Sequence, residues 1–149
     1  MKKPFDLSDL TTMTGLIDTI FSEMNIGLMI FQIEDVNEAS TLRLVYANKQ
    51  ADKYTGADLG KLIGKYIFEA FPKLNETDVA QIYAEALRTN QPRTVGVLEY
   101  SDENVTKGYY AVKAFPMPND CVGVLFENVT LRKQLDEMIK NRAEKPANP

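Results

Sequence analysis

Among the side chains here that could do chemistry, the phenols matter most. The 149 residues include seven tyrosines, one cysteine and no histidine. Without imidazole the chain has no His-based catalytic triad, no histidine-ligated haem, no His-containing zinc site and no phosphoacceptor histidine of its own. Cys121 opens a strand-like run with no basic residue beside it, so it reads as an inert, partly buried thiol rather than a redox sensor. A lone cysteine also excludes an internal disulfide framework. Glu99, Asp102 and Glu103 cluster near a turn. Nothing in their spacing fixes them on a rigid face, and solvation of the turn explains them more simply than a metal site or an acid–base pair. With no nucleophile–base pair and no phosphate loop, an enzyme is not expected.

The aromatic residues are the stronger candidates. Arg43, Lys113 and Glu127 mark the outward face of strand-like segments, so the opposite parity turns Tyr46, Tyr110, Val112, Val124 and Phe126 inward. Tyr54, Phe68, Phe71 and Tyr83 join them from the intervening helical segments. A buried phenol carries one polar atom that must find a partner, so these tyrosines could orient a ligand carbonyl or carboxylate in an apolar cavity. The plainer alternative is a filled core, each aromatic contributing about 1.5 to 3 kcal/mol through burial. Both readings stay open. In RTVGVLEY, residues 93–100, Gly96, Leu98 and Tyr100 alternate with Val95, Val97 and Glu99, and the inward face is ambiguous.

The elements that must position these residues follow from periodicity. Leu10, Met13, Ile17, Ile20 and Met24 are spaced 3-4-3-4, which predicts a helix starting near Ser8 or Asp9. Its apolar seam could rest on its own domain or pair with a second copy. NIGLMIFQIED and TLRLVYAN read as strands joined by a hairpin-sized link over 36–40. Asn48 caps a two-turn helix that Gly56 ends, and Asp58 starts another turn with Leu59, Leu62 and Ile63 on one side. Such short helices are unstable alone and must lie on something larger, the face of a sheet. Val79, Ile82, Tyr83, Ala86 and Leu87 define a longer helix capped by Asn75 or Thr77. Three strand-like runs follow, RTVGVLEY, GYYAVKAFPM and CVGVLFENV, as an antiparallel meander. A charged helix from Leu131 carries Leu135 and Met138 on one stripe, and AEKPANP frays at the end.

This order resembles the PAS domain family. YANKQADKYTG is similar to that family's strand-to-Asn-to-helix step, LGKLIGKYIFEAFP to its glycine-bounded turns, and GVLFENVTLRKQLDE to its last strand passing into an exit helix. The resemblance covers roughly residues 24–137. It implies an α+β fold, a PAS-like five-stranded antiparallel sheet with short helices over one face and flanking N- and C-terminal helices. The family's frequent Asp-Ile-Thr is here Asn128, Val129 and Thr130, so a neutral amide stands where an anionic relay is common. Hydrogen-bond coupling through Asn128 and Thr130 to the exit helix remains available. Photoadduct flavin members carry a cysteine after the second strand, and KLIGKYIFEAFPKLNETD has none. A flavin adduct and His-ligated haem are therefore not expected, and the cofactor stays unassigned.

Composition places these parts in one soluble unit. Hydrophobic residues at 44% and charged residues at 26% are ordinary globular values. The expected division is an N-terminal helix over 1–23, a PAS-like domain over 24–130 and an exit helix with tail over 131–149. A net charge of -4 without a basic block argues against nucleic acid. No apolar run approaches the roughly 20 residues needed for membrane insertion, and MKKPFDLSDL lacks a signal core, so a cytoplasmic location is expected. What the resemblance implies is a bacterial-type sensory module, with a small-molecule ligand and a kinase or cyclase output domain or partner as in two-component signalling. The alternative is a homodimerisation module with a filled core, paired through the N-terminal seam.

Overall fold

Five strands make one antiparallel sheet, in a computed structural model that describes residues 9–144. The strands are β1 (Gly27–Ile33), β2 (Leu42–Ala47), β3 (Arg93–Tyr100), β4 (Gly108–Met117) and β5 (Cys121–Asn128), in spatial order β2-β1-β5-β4-β3. Every pairing is antiparallel, as the short link between β1 and β2 and the meander of β3 to β5 require. The three-residue β4–β5 link, 118–120, places Asn119 and Asp120 at positive φ, a conformation these two residue types tolerate best after glycine.

Helices α2 (Lys49–Thr55), α3 (Ile67–Ala70) and α4 (Val79–Thr89) cover one face, with short 3-10 turns at Leu59–Leu62 and Pro72–Glu76 between them. Each is brief for a local reason. Asn48 caps α2 through a 2.9 Å bond from the Ala51 N–H, and Gly56 stops it in the left-handed region at φ 70°. Asp78, not Asn75 or Thr77, takes the N-cap position of α4, while the Thr77 hydroxyl accepts from the Val79 N–H at 3.2 Å. In the turn after Asp58, Leu59 and Leu62 are buried but Ile63 is 43% exposed, so the three do not share a face. A 3-10 turn advances about 120° per residue, which carries Ile63 away from its neighbours.

Flanking helices α1 (Leu10–Glu23) and α5 (Thr130–Glu144) complete the described residues. Asp9 caps α1, with its carboxylate accepting from the Thr11 N–H and the Thr12 hydroxyl. Ser8 and the tail beyond residue 144 lie outside the described residues. Helix α1 packs on α2 and β1, and Asp18 accepts from the Lys49 N–H at 2.9 Å. Its apolar seam is divided: Met13 and Ile17 are half-buried against the domain, whereas Leu10, Ile20 and Met24 are exposed.

Candidate functional site

Between the sheet and its helical cover lies a cavity of about 60 Å³. Each layer contributes side chains. Met29, Leu98, Tyr100, Tyr110, Val112, Val124 and Phe126 come from the strands, and Thr55, Phe71, Leu74 and Tyr83 from the helical layer. Val105 closes it from the β3–β4 loop. Gly27, paired with Phe126, has no Cβ; one would fall within 3.0 Å of the Phe126 ring, which occupies that space. The ring in turn packs edge-on to Tyr110 with centroids 6.2 Å apart.

Of the residues expected to face a pocket, Phe71, Tyr83, Tyr110, Val112, Val124 and Phe126 line this cavity. Tyr54 and Phe68 pack at the margin of the core without reaching it. Tyr46 does not face inward. Ile30 pairs with Tyr46 but Phe31 pairs with Leu44, so Val45 is an extra residue in β2. That bulge reverses the strand's parity and rotates Tyr46 to the outer face, where it lines a groove with Asp18 of α1. Burial and then the nearby Asp18 charge push its phenol above the ordinary tyrosine value.

Met29, Thr55, Leu74, Leu98, Tyr100 and Val105 line the cavity without having been singled out in the sequence. Leu98 and Tyr100 belong to the strand whose inward face was left open, and that strand carries a second bulge, between Thr94 and Gly96, with Gly96 at φ 91°. It lets both Val95 and Leu98 touch the core, which strict alternation forbids. Val105 was legible in one respect only, as the lone aliphatic residue of the polar loop SDENVTKG.

Two of the three cavity phenols, Tyr100 and Tyr110, are engaged by the protein itself. The Tyr100 hydroxyl donates to the Asp102 carboxylate, whose other oxygen accepts from the N–H groups of Asn104 at 2.6 Å and Val105 at 2.8 Å. Burial, followed by that hydrogen bond and the Asp102 charge, raises the Tyr100 phenol well beyond its ordinary range. Tyr110 shares its one hydroxyl proton between the Thr106 carbonyl at 2.6 Å and the Tyr54 carbonyl at 3.3 Å. Burial alone raises Tyr83. The β3–β4 loop is thereby fastened over the cavity, with two further bonds from Asn104 Nδ2 to the Ala70 carbonyl at 2.9 Å and from the Thr106 N–H to the Thr55 carbonyl at 2.8 Å.

A second set of bonds leads out of the cavity. The Tyr54 carbonyl, already reached by Tyr110, also accepts from Asn128 Nδ2 at 3.3 Å. Asn128 Oδ1 accepts from the Thr130 N–H at 3.1 Å and from the Thr130 hydroxyl at 2.5 Å, and the Thr130 hydroxyl accepts from the Tyr109 N–H at 3.0 Å. These groups join the cavity wall to the first residue of α5.

Pockets for ligands of cofactor size run to roughly 300–1,000 Å³, several times this cavity, and no cysteine or charged group lines it. Flavin and haem therefore do not fit the residues as arranged. Cys121 stands away from the cavity at the β4–β5 turn, its thiol raised above the usual value by burial and the neighbouring Asp120. Among the described residues no group of three or more Cys, Asp or Glu side chains is placed to hold a metal.

A five-stranded antiparallel sheet covered on one face by short helices and flanked by two terminal helices defines the class of fold. Residues 36–134, about two thirds of the chain, match the family described as PAS fold, and the chain belongs to that family. Solved structures agree on the fold. A PAS domain from Colwellia psychrerythraea superposes with a TM-score of 0.59 at 12% identity, covering 80% of this chain and 99% of that one. A sensory box sensor histidine kinase from Vibrio cholerae gives 0.53 at 16% identity, covering 85% and 99%. An RNA-binding Light-Oxygen-Voltage receptor gives 0.63 at 14% identity, covering 97% of this chain but 41% of the receptor. No curated protein matches the sequence.

Proposed function

We propose that this chain is a non-catalytic sensory module of the cytoplasm, in which the state of the cavity is relayed to α5. One observation carries the reading: a single carbonyl, that of Tyr54, accepts from both cavity-lining Tyr110 and relay residue Asn128. A change in the cavity wall that moves Tyr110 shifts the carbonyl it shares with Asn128, and Asn128 is bonded directly to Thr130 at the start of α5. A coupling of about 1–3 kcal/mol between cavity and helix is enough for such a switch. The similarity to domains of sensor histidine kinases supports a kinase-type output domain or partner.

The test is a pair of variants, Tyr110→Phe and Asn128→Ala, read by amide hydrogen exchange. Tyr110→Phe should change protection in α5, about 20 residues away in sequence, and the two effects should be non-additive in the double variant. Protection in α5 unchanged by Tyr110→Phe would refute the relay.

A second reading is favoured by a separate observation. Leu131, Leu135, Met138 and Ile139 are all exposed on α5, as are Leu10 and Ile20 on α1 and Met24 at its C-cap. Helices of this kind commonly bury such stripes against a partner, which supports a homodimerisation role beside or instead of ligand sensing.

A further inference from the structure

The hydrogen bonds of the cavity wall restrict what it can hold. Thr55 donates its hydroxyl to the Ala51 carbonyl at 2.8 Å and accepts from the Ala57 N–H at 3.3 Å. Tyr100 donates to Asp102, and Tyr110 to the Thr106 and Tyr54 carbonyls. Apart from the phenol of Tyr83, the remaining walls are aliphatic or aromatic, and no cation or carboxylate reaches the cavity surface. Beyond the one Tyr83 hydroxyl, a ligand carboxylate would have to take a proton donor away from one of these bonds or lie largely unpaired in an apolar space, at a cost that grows with its charge. Of the ligand carbonyl or carboxylate that buried tyrosines could orient, these walls disfavour the carboxylate.

We infer that the cavity selects an uncharged, predominantly apolar molecule of a few heavy atoms, a small hydrocarbon or apolar gas. Size points the same way. At about 60 Å³ it is well under half of the roughly 150 Å³ at which an engineered apolar cavity admits benzene. Space of that size between dry walls is poor for water, because a buried water needs two to four polar partners. The ligand class rests on the sensory reading for its use, but the cavity's selectivity does not.

Xenon and propane, with acetamide and propionate as polar counterparts, would be titrated into the protein while methyl signals of Val112 and Val124 and amide signals of α5 are followed by NMR. Xenon and propane should each give saturable methyl shifts and compete with one another, with acetamide and propionate at least tenfold weaker. Val112→Leu, which fills part of the space, should weaken both apolar probes several-fold; competition in the unaltered protein keeps the result interpretable if that variant is poorly folded. Tighter binding of acetamide or propionate at these methyls, or no saturable response to either apolar probe, would overturn the inference. Methyl shifts without any change in α5 would leave the ligand class standing and refute the relay. Polar probes that move both sets of signals would do the reverse.

Discussion

Asn48 and Leu28 are joined across twenty residues by a 3.0 Å bond from the Leu28 N–H to Asn48 Oδ1. The same oxygen accepts from the Ala51 N–H, and the Asn48 amide donates to the Ile26 carbonyl at 3.0 Å. One side chain, 1% exposed, therefore caps α2 and splices it to the start of β1. Asn is suited to this because it offers donor and acceptor together.

Replacing Asn48 by Ala removes a helix cap worth about 1 kcal/mol and strands a buried N–H at a further cost of about 1–3 kcal/mol. We expect a loss of about 2–4 kcal/mol in urea unfolding. A loss below about 1 kcal/mol would show that water or a rearranged backbone replaces the side chain.

Alkaline stability follows from the raised phenols. Tyr83, Tyr100 and Tyr110 all ionise at higher pH in the folded protein than in the unfolded chain, mainly because burial disfavours the phenolate. The stabilisation is fully present below the unfolded value of about 10 and is lost as pH rises towards the folded values. Each such tyrosine contributes a slope of about -1.4 kcal/mol per pH unit in that window. Unfolding free energy measured from pH 9 to 11 should fall, and Tyr83→Phe should make the fall shallower. An unchanged slope in that variant would remove Tyr83 from the account.

The exposed stripe of α5 separates association from folding. Leu135→Asp and Met138→Asp change residues that lie in solvent within a single chain, so their effect on monomer stability should stay within about 0.5 kcal/mol. If α5 pairs with a second copy, sedimentation should show dimer before substitution and monomer after it. A protein that is monomeric at the outset contradicts the homodimer reading.

Much of the architecture was legible because it depends on local rules. Gly56 and Asn48 bound α2 as their cap chemistry dictates, and the helical spacing from Val79 to Leu87 gave α4. The exit helix was expected from Leu131 and begins at Thr130. Six cavity-lining residues were found by strand parity and helix face. Parity failed at Tyr46, where the extra residue Val45 reverses the side chains beyond it; over 93–100 the inward face was left open, and the extra residue Val95 is what lets Val95 and Leu98 both touch the core. The use of the tyrosines was not legible either. Their acceptors are backbone carbonyls and the loop carboxylate Asp102, which only the folded chain brings within reach.

Both bulges fall on the outermost strands, β2 and β3. An edge that is locally kinked and overtwisted offers a broken row of N–H and C=O groups to a neighbouring molecule, so ladder-to-ladder addition of a second sheet is discouraged on either side. Whatever assembly this domain enters is thereby steered away from strand extension and towards contacts made by its helices and the open face of its sheet.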